Sequence, residues 1–242
     1  MGPENIHMNN ISTQLEKVLM DGGASLVGFA DLRELPFDVP GSLPYGVSIA
    51  VALDPDIIRH IEQGPDRDYY NEYDRVNAEL NRLADIADDF LEERGFRALI
   101  IRSTVHDIEG ELERTLRTPF PHKTAATRAG MGWIGKNALL VTERYGSAVR
   151  FATVLTDAPL ETAAPCDESR CGSCTRCVEI CPGRAPSGKN WDVTMDRADF
   201  FDAFACFRTA REFREKNGWE SDICGMCISA CPRTRRYLDR SE

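Results

Sequence analysis

The sequence predicts an α+β chain in two parts: a mixed helix–strand domain over about residues 1–160, and a small cysteine-rich domain over about 165–242. Three observations carry this reading. Amphipathic helical stretches alternate with short apolar runs rich in β-branched residues up to about position 156. Eight of the nine cysteines then fall after position 170. Between the two, "DAPLETAAP" ends the strand-like pattern, which places a boundary near Pro159 to Pro165.

The elements follow in order. "ISTQLEKVLMDGG" has helical spacing at Ile11, Leu15, Val18 and Leu19, and ends in Gly22-Gly23, a C-cap signal. "SLVGFA" predicts a short strand and "GVSIAVAL" a buried one. Asp68 to Arg94 predicts a long helix with Val76, Leu80, Leu83, Ile86, Ala87, Phe90 and Leu91 on one face, stopped by Gly95. "RALIIRS" is the next strand, and "HKTAATRAG" reads as helical. "NALLVT" and "AVRFATVLT" predict two more strands, paired through the "ERYGS" turn.

Bulk properties narrow the function classes. The longest apolar runs are far shorter than a bilayer span, and the polar N-terminus lacks the apolar segment of a signal peptide, so a cytoplasmic protein without a membrane partner is expected. The formal net charge of −10 argues against nucleic acid as a partner, and "RTRRYLDR" is the one basic cluster against that trend. A dense, odd-numbered set of cysteines behind a long cysteine-poor segment favours a reducing compartment and metal thiolates over disulfides.

The run "CGSCTRCVEICP" is Cys171-x2-Cys174-x2-Cys177-x3-Cys181-Pro182. In this ferredoxin spacing the fourth cysteine serves the other cluster of a two-cluster module. "CGMCISACP" repeats the ending as Cys224-x2-Cys227-x3-Cys231-Pro232, with Cys206 the only upstream candidate to complete it. The count then closes on two [4Fe–4S] clusters: Cys171, Cys174, Cys177 and Cys231 for one, and Cys206, Cys224, Cys227 and Cys181 for the other. Zinc would explain two Cys-x2-Cys pairs, but not the four-cysteine run or both Cys-Pro endings. Cys166 is left over and reads as a free thiol. Two adjacent clusters form a one-electron wire, so the preceding domain should hold an acceptor.

"RAGMGWIGKN" imitates two nucleotide motifs and satisfies neither. A P-loop needs Ser or Thr after the lysine, and Asn137 stands there. A dinucleotide fingerprint needs a strand before the glycines and a helix after them, whereas a helical pattern precedes and a strand follows. A glycine-rich turn that lets a helix meet a strand is the plain alternative.

The stretch "HKTAATRAGMGWIGKNALLVTERYGS", followed by "VLTD" and the double-cluster cysteines, resembles the epoxyqueuosine reductase family, which is related to the reductive dehalogenases. The resemblance covers most of the chain and implies a nitroreductase-like α/β domain that binds cobalamin, joined to the ferredoxin-like two-[4Fe–4S] domain. It implies that Gly130, Gly132, Trp133, Gly135, Lys136 and Asn137 approach the corrinoid. Two departures stand out. Where the family carries an acidic proton donor before the glycine element, this chain has Arg117 and Thr118 ahead of Pro119. The helical repeats that continue longer members do not follow Cys231, and the sequence stops eleven residues on.

His122, Lys123 and Tyr73 are the polar candidates for proton delivery, with Asp107 the nearest alternative acid. "HDIEGELER" otherwise reads as a solvated helix face. The expected function is a reductase that takes electrons from an external ferredoxin or flavodoxin through both clusters to cobalamin, which reduces a small substrate. An electron carrier or corrinoid-protein activase, and a flavin-dependent reductase, are the alternatives. With the acid missing, the repeats absent and the charge at −10, no transfer RNA is expected as substrate.

Overall fold

The computed structural model describes residues 3–104 and 110–240. Helix α1 (Pro3–Asp21) leads into β1 (Leu26–Asp31) and β2 (Tyr45–Ala52). Short α2 (Pro55–His60) and long α3 (Arg67–Glu92) precede β3 (Ala98–Ile101). Then come α4 (Gly110–Thr115), α5 (His122–Arg128), the short strands β4 (Trp133–Ile134) and β5 (Leu140–Val141), and β6 (Val149–Thr156). The cysteine-rich part holds α6 (Arg176–Ile180), α7 (Arg197–Phe200), α8 (Ala203–Asn217), α9 (Met226–Ser229) and α10 (Pro232–Asp239).

The main sheet has the order β1-β2-β6-β3, and every pairing in it is antiparallel. The chain is therefore α+β as expected, without the parallel strands of an α/β sheet among the described residues. The turn expected to pair "NALLVT" with "AVRFATVLT" does not do so. β5 folds back on β4, Thr142 and Gly146 bridge within the turn, and β6 runs between β2 and β3.

Strand β2 shows how sequence sets the layers. Its residues alternate with period two, so Val47, Ile49 and Val51 face one side and Gly46, Ser48 and Ala50 the other. The large set joins Leu15 and Leu19 of α1 and Val76, Leu80 and Leu83 of α3 in the principal core. The small set admits α5 closely: a Cβ on Gly46 would lie 3.7 Å from that of Ala125. Helix α3 is capped by Asp66, which accepts from the Tyr69 amide, and ends before Gly95 at φ +84°.

The cysteine-rich part packs into the same core. Trp219, Ile223, Ile228 and Leu238 are buried with the α3 stripe, and the Trp219 ring stacks on Tyr70 at 5.2 Å. Tyr237 donates its hydroxyl hydrogen to the Leu53 carbonyl, and Cys166 donates its amide to Thr127. This contact between the two parts determines what stands beside the cysteines.

Candidate functional site

Of the eight expected ligand thiols, Cys177, Cys206, Cys224 and Cys227 lie close enough to other cysteines to feel their charge, within and across the two expected sets. Cys177 feels the charges of Cys171, Cys231 and Cys174. Cys206 feels Cys224 and Cys181, and buried Cys227 feels Cys206, Cys224, Cys177 and Cys181. Burial is the first cause that raises each of these thiols, with neighbouring thiolates adding to it; Cys177 is pushed up to about 12 and Cys206 to about 11. A bound metal centre would hold such thiols as thiolates by supplying the missing positive charge. Among the described residues no three His, Cys, Asp or Glu side chains converge as closely as a single metal ion requires. The division into two sets therefore rests on cysteine spacing. Cys166 belongs to neither group.

The glycine element forms a hairpin. β4 and β5 enclose a three-residue loop, Lys136 to Ala138, closed by the Gly135 amide to the Leu139 carbonyl at 2.8 Å. Ala138 takes the left-handed conformation at φ +56°, the position usually given to glycine in such loops. A Cβ on Gly132 would lie 2.2 Å from the Val141 carbonyl oxygen, and one on Gly130 would lie 2.7 Å from that of Ala164. On Gly135 it would meet Asn137 and Val141 at 2.7 and 2.8 Å. These three glycines thus admit the chain's own backbone and side chains. Trp133 is buried, with the guanidinium groups of Arg233 and Arg170 at 5.3 and 5.5 Å from its ring. The buried Asn137 accepts from the Leu139 amide.

A cleft of about 920 Å³ opens beside the hairpin. Of this element it is lined by Ile134, Ala138, Leu139 and Leu140; the glycines, Trp133, Lys136 and Asn137 stand behind that wall. The far wall comes from the cysteine-rich part, through Trp191, Val193, Met195, Asp196, Arg197 and Phe200. The sequence reading missed this wall. Its only signal was the aromatic and apolar content of "NWDVTMDRADF" between the two cysteine blocks.

His122 and Lys123 both line the cleft. His122 contacts the Arg102 carbonyl through Nε2 at 3.0 Å and the Thr153 hydroxyl through Nδ1 at 2.9 Å. A carbonyl only accepts, so Nε2 carries the hydrogen and Nδ1 accepts from Thr153. Burial, opposed by the Arg102 hydrogen bond, pulls the imidazole down to about 4. His122 is neutral near pH 7 with both nitrogens engaged, a poor proton donor. Lys123 differs. Its ammonium donates to the Ala138 carbonyl at 2.6 Å, and burial, helped by Arg197 and opposed by Cys206, brings it down to about 8. Tyr73 stands behind the cleft, under the Arg150 guanidinium at 3.9 Å from its ring, with its hydroxyl 3.3 Å from that of Thr104. His106 and Asp107 lie outside the described residues.

The cleft is basic although the chain is acidic. Arg117, Lys123, Arg128, Arg150 and Arg197 line it against Asp38 and Asp196. Asp196 pairs with Arg117, and Arg128 pairs with Asp167. Arg150 donates to Asn77 and Thr104, and Arg197 to the carbonyls of Thr115 and Leu116, so neither is neutralised by a carboxylate among the described residues. Volume, apolar walls and unneutralised cations suit a flat macrocycle with polar arms or an anionic substrate.

A cysteine-rich module of ferredoxin spacing set against a basic cleft in an α+β chain points to a class, the iron–sulfur redox proteins. Residues 170–234 match the family described as a 4Fe-4S double cluster binding domain. The chain is similar to the epoxyqueuosine reductase of Gloeobacter violaceus, at 48% identity over 138 residues, covering 51% of this chain and 40% of that protein. Its fold aligns over 97% of its length with 34% of a reductive dehalogenase whose structure is described as suggesting a mechanism for B12-dependent dehalogenation (TM-score 0.71, 15% identity). It aligns over 93% of its length with 66% of an epoxyqueuosine reductase solved with an epoxyqueuosine-modified tRNA-Tyr stem loop (TM-score 0.60, 22% identity). The resemblance to the epoxyqueuosine reductases, expected from the hairpin and cysteine motifs, is thus present in sequence and fold, and that to the reductive dehalogenases in fold. The matched regions span only 28% to 43% of the curated relatives.

One expectation is overturned. Transfer RNA was excluded as a partner, yet the curated relatives are named for epoxyqueuosine, and a matching fold carries a tRNA stem loop. The physical error was to read the net charge of −10 as a surface property. That charge is a sum over the whole chain, whereas the cleft carries its own excess of cations. No helix among the described residues is long and apolar enough to cross a membrane.

Proposed function

We propose that this chain is an iron–sulfur reductase of the epoxyqueuosine reductase type, acting in the cytoplasm on epoxyqueuosine in transfer RNA with a corrinoid in the cleft. One observation carries the reading: Lys123 lines the cleft and also feels Cys206, so the second thiolate group abuts the place where a substrate would sit. Cys206, Cys224, Cys227 and Cys181 would hold the cluster nearer the cleft, and Cys171, Cys174, Cys177 and Cys231 the other. An external ferredoxin or flavodoxin would supply electrons. A corrinoid would supply low-valent cobalt, the cofactor's share of the chemistry.

Reducing an epoxide to an alkene breaks both C–O bonds, consumes two electrons and two protons, and releases water. The chain's own residues handle the protons. Lys123 is the best placed donor, since an ammonium brought down to about 8 is still charged near pH 7 and gives up its proton readily. Neutral His122 fixes the start of α5 to β6 through Thr153 and so holds Lys123 in place. Arg150 and Arg197 supply positive charge for an anionic substrate, and Leu139, Leu140 and Phe200 exclude water from the cleft floor. The nitroreductase-type description of the first domain belongs to this same proposal.

Binding tests it. The anaerobically reconstituted protein should take up cobalamin, and Leu139→Trp, which fills the cleft, should not. Absence of cobalamin binding with avid flavin binding would transfer the reading to a flavin reductase; binding of neither would leave an electron carrier.

A further inference from the structure

Lys136 is buried at 4% exposure. Its ammonium donates to the main-chain carbonyls of Gly172 and Cys174, at 2.8 and 3.0 Å. No carboxylate among the described residues pairs with it. An ammonium has three donors, so one N–H is left without a protein acceptor among the described residues. A buried charge with neither a counter-ion nor full hydrogen bonding is costly, and proteins keep one only where something neutralises it. Gly172 and Cys174 belong to the loop that carries three ligands of the first thiolate group. Asn190 also donates to the Gly172 carbonyl, at 3.2 Å, so this loop is gripped from both sides.

We propose that Lys136 is the built-in counter-charge of the first [4Fe–4S] cluster and raises its reduction potential. A tetrathiolate cubane carries two negative charges when oxidised and three when reduced. A fixed positive charge beside it stabilises the reduced form by one additional unit of attraction, in surroundings of low dielectric. One electron from a ferredoxin- or flavodoxin-class donor then enters that cluster at a less negative potential. The hairpin position matters as much as the charge. Lys136 leaves the cleft wall on its far side, so the wall that holds the bound group and the loop that holds the cluster are tied by one side chain. The inference rests on the two-cluster reading. Uptake of fewer than about eight irons per chain by the unaltered protein would sink that reading by itself, before any variant is compared.

The test is a redox titration of the reconstituted holoprotein, with viologen mediators and low-temperature electron paramagnetic resonance. The variants are Lys136→Gln, which keeps donors without charge, Lys136→Met, which keeps neither, and Lys136→Arg, which keeps charge. At a fixed poise, Gln and Met should lower the reduced-to-oxidised ratio of one cluster at least about tenfold, about 59 mV for a one-electron couple. The other cluster should stay put, and Arg should stay near the parent. A Gln variant with both midpoints unchanged would overturn the proposal, as would an equal shift of both clusters. Loss of iron in Gln, Met and Arg alike would overturn it too, because the loop would then need the shape of lysine and not its charge. Iron lost in Gln and Met but retained in Arg would support it.

Discussion

Replacing Gly132 by alanine separates two meanings of the glycine hairpin. The added Cβ would lie 2.2 Å from the Val141 carbonyl oxygen, 2.9 Å from its carbon and 3.3 Å from the Thr142 Cα. All three are backbone atoms, so no side chain can swing away. Gly132 does not have a positive φ, and alanine is compatible with its conformation. Were the site open, the substitution would stabilise by about 0.4–1 kcal/mol through the unfolded chain. Contact therefore decides the sign. Restoring an ordinary separation means moving β5 by about 1 Å and breaking the Trp133–Val141 pairing, which places the cost at the upper end of overpacking, about 3 kcal/mol. For a chain of this size that is a fall in Tm of about 6–12 °C. The assay is a thermal melt of the reconstituted protein by near-ultraviolet circular dichroism. A melt within about 2 °C of the parent would refute the packing argument; if cobalamin binding were lost as well, the glycine would face the cofactor after all.

Further outcomes follow from the same geometry. Cys206→Ser should lose about half of the iron and Cys166→Ser none, by iron assay after reconstitution. The rate of substrate reduction should fall as pH rises through about 8, where Lys123 gives up its proton; Lys123→Met should abolish this limb along with most of the activity, and a pH–rate profile checks both. His122 has a folded pKa of about 4 against an ordinary 6.5, so its contribution to stability is complete above pH 6.5 and is lost as pH falls toward 4. Between pH 7 and pH 5 that is about 2 kcal/mol, and urea unfolding of His122→Asn should lack this part of the loss.

What was legible in the sequence was local. The α3 stripe from Val76 to Leu91 and its stop at Gly95 follow from periodicity and one backbone preference. The double-cluster module at residues 170–234 was legible from the repeated Cys-x2-Cys and Cys-x3-Cys-Pro spacing, because ferredoxin-type ligands lie within a few residues of one another. Long-range pairing was not legible: the insertion of β6 between β2 and β3 depends on partners a hundred residues apart. The same limit hid the role of Gly130 and Gly132, since the backbone they admit, at Ala164 and Val141, is brought there by the fold. His122 looked like an acid because sequence does not show that Arg102 and Thr153 occupy both its nitrogens. The cleft's charge was hidden because Arg150 and Arg197 lie 47 residues apart in a chain whose total is −10.

The central claim is that the double thiolate module feeds a reduction in the neighbouring cleft. Its most direct test gives the reconstituted, cobalamin-loaded protein and a low-potential donor a tRNA stem loop carrying epoxyqueuosine, and follows the nucleoside by mass. The account predicts loss of one oxygen over repeated turnovers, abolished in Cys206→Ser. An unchanged nucleoside with both clusters reduced and cobalamin bound would contradict it.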